Sequence, residues 1–212
     1  MTTMTKTIRF GGAALVAVST IALAGLARPA ARPAPSATVE AAQSLEVFKI
    51  DGVHSSVIFK VKHKEVSWFH GRFNGLTGEI GWNGDEPTGH SIKAEIKVAN
   101  VDTNSKQRDD HLRGPDFFDF ANYPTISFVS KGAKKSGENM YEVSGDLTMH
   151  GVTKSITVMM EHVGGGGAAG KLIGVAAEFT IKRSDFGMTY GVDGPVGDEV
   201  TIFLGIEGVK GS

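Results

Sequence analysis

No cysteine occurs among the 212 residues. That absence excludes a disulfide framework, a thiolate nucleophile, an iron–sulfur cluster and a thiolate zinc site. It also excludes a bacterial lipoprotein anchor, whose lipid is carried on cysteine. Charge of one sign is lacking as well: 22 Lys and Arg stand against 23 Asp and Glu, a net −1 at pH 7. A nucleic-acid partner would call for a concentrated basic face, so none is expected. No apolar run suits a permanent membrane helix, because the stretch from Phe10 to Leu26 is diluted by Gly11, Gly12, Ser19 and Thr20. Glycine, in contrast, is abundant at 28 residues, about twice the average usage of ~7%. That excess points to turn-rich β structure.

The N-terminus reads as an address. Lys6 and Arg9 precede the diluted apolar stretch, and Ala22-Leu23-Ala24 supplies a small-x-small cleavage pattern, with later alternatives from Ala27 to Ala31. Residues 1–24 are therefore expected to be a removed signal peptide, its cleavage site lying between 24 and 31. Cutting after Ala24 removes two of the 22 basic residues and no acid, leaving 20 against 23 and a net −3. Residues 25–44, rich in Ala and Pro, read as an extended linker. The folded domain is expected at 45–210, exported with removal of the signal.

From Leu45 onward the apolar segments alternate with period two. Val57, Phe59 and Val61 oppose Lys60 and Lys62, and Ile92, Ala94, Ile96 and Val98 alternate with Ser91, Lys93, Glu95 and Lys97. The pattern recurs in Ile156, Val158 and Met160, in Ile173 to Ile181, and in Val200 to Ile206. Such alternation argues half-buried antiparallel strands. Between them stand Asn83-Gly84, Ser136-Gly137, His150-Gly151, the Gly164–Gly167 tract, and Gly191, Gly194 and Gly197, all read as turns or loops. One stretch departs from the pattern. Thr103 to Pro124 offers Thr103, Asn104 or Ser105 as a cap, the helix formers SKQRDDHLR, and a Gly114-Pro115 stop, which predicts one short helical excursion at about 103–120.

About eight strands with one apolar face close most simply as an up-and-down barrel, which also removes edge strands. The expected fold is thus all-β: an eight-stranded antiparallel barrel with a single short helical excursion. Its lumen faces are Val, Ile, Leu, Met and Phe, so any cavity is apolar.

Catalytic and metal signatures are absent. Seven histidines occur, but no HxH or HxxxH pair seeds a zinc or iron site, and no metal or other cofactor is expected. There is no G-x-S-x-G elbow and no P-loop. Asp109 and Asp110 are adjacent on the expected helix and point apart, which spoils shared-proton chemistry. Arg108, Arg113 and Arg183 are the polar groups that an anionic head group would seek, or they pair with nearby aspartates.

Several strings together resemble the YceI-like, polyisoprenoid-binding periplasmic proteins. They are DGVHSSVIFKVKHKEVSWFHGRFNGLTGEI from Asp51, VDTNSKQRDDHLRGPDFFDFANYPTISFVS from Val101, GDLTMHGVTKSITV, IKRSDFGM and VGDEVTIFLGIEG. The resemblance implies a lipocalin-like eight-stranded barrel that holds a long isoprenoid, as a polyprenyl phosphate or pyrophosphate or a quinone-like lipid, and that is not an enzyme. The lumen lining expected on this basis is Val57, Phe59, Val61, Ile92, Ile96, Phe128, Leu147, Val158, Met160, Val175, Phe179, Ile202 and Leu204. Arg108, His111 and Arg183 are expected to meet the head group. A transient membrane contact and a homodimer are the further partners considered. Two other readings compete: a periplasmic stress-related interaction protein with a filled barrel, and a small-substrate hydrolase using His111 and Asp109. The first is decided by lumen volume, the second by whether His111→Ala abolishes a turnover with the fold intact.

Overall fold

The computed structural model describes residues 45–84, 86–166 and 170–211. The expected signal peptide and linker lie outside the described residues. The eleven strand segments are β1 Glu46–Ile50, β2 Ser56–His63, β3 Ser67–Phe73, β4 Thr77–Trp82, β5 Ser91–Lys97, β6 Val101–Asp102, β7 Thr125–Lys135, β8 Met140–Met149, β9 Val152–Gly166, β10 Leu172–Lys182 and β11 Val196–Lys210. One helix, α1 Lys106–Arg113, stands between β6 and β7.

Eleven segments make eight strands, because three strands are each broken once. β2 pairs with β3 while β1 pairs with β4, so β1–β2 and β3–β4 are two bent strands lying side by side. β5–β6 is the third, pairing through β5 with β4 and through β6 with β3. Every following neighbour is sequential and antiparallel, and β11 returns to pair with both β2 and β1. The sheet is a closed, eight-stranded, antiparallel barrel. Closure satisfies the ladder hydrogen bonds that an open edge would leave to solvent.

The three breaks are clasped to one another. Between Ile50 and Ser56 the chain bulges out opposite Ile206 and Glu207, with Asp51 N–H donating to the Glu207 carbonyl at 2.8 Å. Asn74 N–H donates to the Asn100 carbonyl, and the Asn100 amide returns a bond to the Asn74 carbonyl, both at 3.1 Å. Gly52 sits so close to the Leu76 carbonyl that a Cβ there would lie 2.7 Å from the oxygen. These bends carry no periodicity of their own, so strict alternation is lost across them.

The turns follow their chemistry with two corrections, the first being Gly197, expected in a loop but lying in β11 where the register with β2 shifts. His150 (φ 52°) and Gly151 (φ 72°) form the two-residue link of a tight hairpin between β8 and β9, with Met149 opposite Val152. The glycine tract, expected as a turn, is strand instead: Gly164, Gly165 and Gly166 pair with Gly174, Ile173 and Leu172. Backbone pairing needs no side chain, and the bulge at Val163 re-sets the register there. Gly167 lies outside the described residues.

The helical excursion is α1 followed by turns. Ser105 occupies the N-cap with extended backbone, but its side chain makes no capping bond. Asp109 reaches back to accept from Thr103 N–H (2.9 Å) and from the Thr103 hydroxyl. Asp110 pairs with Lys106 at 2.6 Å and Arg113 at 3.0 Å along the exposed face. Arg113 also donates to the carbonyls of Ala99 and Val101, fixing α1 against the bend before β6.

The core divides into two zones. At one end of the barrel, Phe48, Ile80, Trp82, Tyr141 and Ile173 are buried and closely packed, with a small void beside Trp82 and His90. Trp82 is stacked between His90 (ring centroids 3.9 Å apart) and His162 (4.5 Å), with Tyr141 edge-on at 5.1 Å. Towards the other end, the lumen opens.

Candidate functional site

The opening is a cavity of about 210 Å³, and almost every residue lining it is apolar. It follows from the alternation: inward positions of β2, β5, β7 to β11 carry Val, Ile, Leu, Met or Phe, while their neighbours face outward. All thirteen residues expected in the lumen line this cavity: Val57, Phe59, Val61, Ile92, Ile96, Phe128, Leu147, Val158, Met160, Val175, Phe179, Ile202 and Leu204. Phe73, Leu76, Ile126 and Val143 are among the further residues of the wall.

Two phenylalanines are kept out of the middle of the lumen because glycine makes room. Phe59 faces Gly71 across the β2–β3 pair, and its ring lies over the site that a Gly71 side chain would occupy. Likewise a Cβ on Gly145 would meet the Phe128 ring at 2.5–2.8 Å. These rings therefore lie against the barrel wall instead of across the lumen.

The excursion supplies lining that the alternation could not reveal. β3 has a ladder partner on its far edge only at Arg72 and Phe73, where β6 pairs with it. Leu112, Phe117 and Phe118 contribute to the cavity from α1 and the turns after it. Phe118 meets Phe73 edge-on at 5.4 Å. The available signal was the string Asp116-Phe117-Phe118-Asp119-Phe120, an apolar cluster inside an otherwise polar stretch. Met188 and Val196, in and after the loop that follows β10, were missed for the same reason.

Of the three residues expected at the head group, Arg183 alone lines the cavity. It is 4% exposed, and each of its three guanidinium nitrogens donates to a backbone carbonyl: Nε to Gly197 (2.9 Å), Nη1 to Met188 (2.9 Å) and Nη2 to Val196 (2.8 Å). Burial pushes its pKa down from the usual guanidinium value, opposed by nearby Asp198. Burial pushes the Asp198 carboxyl up, but it is outweighed by the Ser184 N–H (2.9 Å) and hydroxyl (2.8 Å) and the Arg183 charge, so the group lies below the ordinary range.

Arg108 is exposed, donates to the Thr103 hydroxyl and carbonyl, and lays its guanidinium over Phe69 at 4.1 Å. His111 bonds Asp116 at 2.9 Å and meets the rings of Phe117 (5.0 Å) and Tyr190 (5.4 Å) edge-on. Arg183 also faces Phe117, at 5.9 Å, so His111 and Arg183 are brought to one aromatic ring while Arg108 sits on another. The hydrolase constellation is not assembled: His111 pairs with Asp116, and the Asp109 carboxylate is taken by Thr103.

One histidine–carboxylate group lies away from the lumen. Asp51, His54 and Glu207 each offer a ligand atom within 4.8 Å of the others. His54 Nδ1 bonds Asp51 at 2.8 Å, which raises the His54 pKa and lowers that of Asp51, and Asp51 also accepts from Val53 N–H. The group closes the bend between β1 and β2.

Comparison with known proteins agrees with this architecture. The family profile described as YceI-like domain matches residues 48–208. The chain is 36% identical over 167 residues to protein YceI of Escherichia coli O17:K52:H18, covering 77% of this chain and 86% of that one. It is 35% identical over 180 residues to a UPF0312 protein of Pseudomonas aeruginosa, covering 82% and 93%. Among solved structures it is similar to BcnA of Burkholderia cenocepacia (TM-score 0.68, 26% identity, 74% of this chain and 98% of that one). It also shares the fold of a polyisoprenoid binding domain from Saccharophagus degradans (TM-score 0.65, 18% identity, 79% and 100%). With the barrel, the lined lumen and the profile in register over the same residues, the chain belongs to the YceI-like family.

Proposed function

We propose that this chain is a periplasmic carrier, not an enzyme, that holds a long isoprenoid in its barrel lumen. The observation that carries the reading is the apolar cavity itself, about 210 Å³ and walled by Val, Ile, Leu, Met and Phe. Enclosing a prenyl chain there removes apolar surface from water at about 0.8 kcal/mol per CH₂-sized unit, so affinity needs few polar contacts. The cavity weighs against a packed, ligand-free barrel. Arg183 is the residue suited to an anionic phosphate or pyrophosphate, through its charge more than through free donors, since each nitrogen already holds a backbone carbonyl.

The volume also constrains how such a lipid fits. About 210 Å³ is below the ~300–1,000 Å³ of ordinary small-molecule pockets, so a long chain is accommodated only by extending beyond the cavity or by displacing side chains that line it. Export by a cleaved segment within residues 1–31 goes with this reading. The test is a titration of the delipidated chain with a long polyprenyl phosphate, a quinone and a straight-chain fatty acid. Saturable binding of the prenyl lipids supports the proposal; equal or better binding of the fatty acid contradicts it.

A further inference from the structure

We propose that the hairpin formed by β2 and β3 is a docking surface for an anionic lipid bilayer. The segment Ile58 to Arg72 carries Lys60, Lys62, Lys64 and Arg72 against one acid, Glu65, in a chain whose net charge is −1. Register places these residues. Ile58, Lys60 and Lys62 lie opposite Arg72, His70 and Trp68, all on the outer face, while Val57, Phe59 and Val61 face the lumen. At the tip Val66 is 82% exposed and Trp68 is 54% exposed.

The indole is flanked by cations. Lys60 Nζ lies 4.9 Å from the Trp68 ring and 5.4 Å from that of Phe203, and Lys62 Nζ is 5.9 Å from Trp68. Lys62 pairs with Glu65 at 2.8 Å and Arg72 with Asp102 at 3.0 Å. Lys60 and Lys64 have no carboxylate partner among the described residues, so their charge is free for a partner's anions. A protein interface draws its core from aromatic and apolar groups with lysine depleted. Here lysines and an exposed tryptophan are interleaved, which suits a headgroup layer: phosphates attract the ammonium groups and the indole sits at the interface.

The patch adjoins the cavity. Phe59 and Val61 line the lumen from the same strand, and Lys64 N–H bonds the Pro195 carbonyl next to lumen-lining Val196. The proposal is independent of what the lumen holds, because its readout is Trp68 itself.

The experiment uses the chain expressed with its own N-terminal segment, which is common to every variant. It is mixed with vesicles of phosphatidylcholine brominated on its acyl chains, with or without phosphatidylglycerol. Trp82 is 8% exposed and serves as an internal reference. Expected is quenching of Trp68 on the phosphatidylglycerol vesicles alone, weakening with salt, absent in Trp68→Phe, and more than about tenfold weaker in Lys60→Glu/Lys62→Glu. A Val66→Asp variant, which leaves every charge pair of the strands intact, is also expected to lose the quench. Circular dichroism checks that each variant is folded. No quenching, equal quenching on neutral vesicles, or quenching indifferent to the charge reversal in folded protein would overturn the proposal. So would a stoichiometric complex with a protein, blocked by the same substitutions, in place of vesicle binding.

Discussion

The ring of Phe59 occupies the space that a side chain on Gly71 would fill: a Cβ there would come within 3.0 Å of three ring carbons. The pair sits directly across β2 and β3, and the missing Cβ keeps the ring against the wall of the lumen. Gly71→Ala is expected to push the ring inward, costing about 1–3 kcal/mol of stability and reducing isoprenoid uptake. Phe59→Leu in the same chain should restore both. Urea unfolding and lipid titration of the two single variants and the double variant measure that coupling.

Arg183 holds three carbonyls from Met188, Val196 and Gly197, tying the loop after β10 to the start of β11. Arg183→Met leaves those carbonyls without the donor, at about 1–3 kcal/mol each where they stay buried. Lysine cannot reproduce the planar fork, so Arg183→Lys should also unfold at clearly lower urea concentration than the parent chain. A midpoint unchanged in both variants would show that the guanidinium is not a clamp.

Met160 lines both the main cavity and a smaller void beside Trp82 and His90, as do Ile92 and Val143. Met160→Ala is expected to join them, at about 2–5 kcal/mol of stability. The lengthened lumen should then favour a longer prenyl chain. Competition between two polyprenyl phosphates differing by a few isoprene units reads that preference directly.

His90 stacks on Trp82 at this end of the barrel, and its burial pushes its pKa below the ordinary imidazole value of about 6.5. The sign follows from linkage. On acidification the unfolded chain takes up a proton at this residue near pH 6.5, before the folded chain does, so stability falls as pH drops below that value. It levels off below the folded pKa. His90→Gln should flatten that part of the stability profile, measured by thermal unfolding from neutral to acidic pH.

Much of this was legible in the sequence for one reason: a strand with one wet and one apolar face writes period two into the chain. Ile92, Val158 and Ile202 are thus assigned to the lumen side by alternation alone. The bends at residues 51–55, 74–76 and 98–100 could not, since they are made by clasps between distant strands, such as Asn74 with Asn100. Leu112 and Phe117 escaped because their facing is set by where α1 packs, not by local alternation. The tract at Gly164 misled because glycine's turn preference was overridden by pairing with β10. Arg183 was found by its charge, but its bonds to backbone carbonyls leave no mark on the sequence.

The central claim is that the lumen is a lipid site. Mass spectrometry of the lipids extracted from the natively purified chain tests it most directly. The account predicts an isoprenoid at close to one per chain, lost in parallel with the added bulk of Gly71→Ala. Protein recovered free of lipid, and refusing isoprenoids offered afterwards, would contradict it.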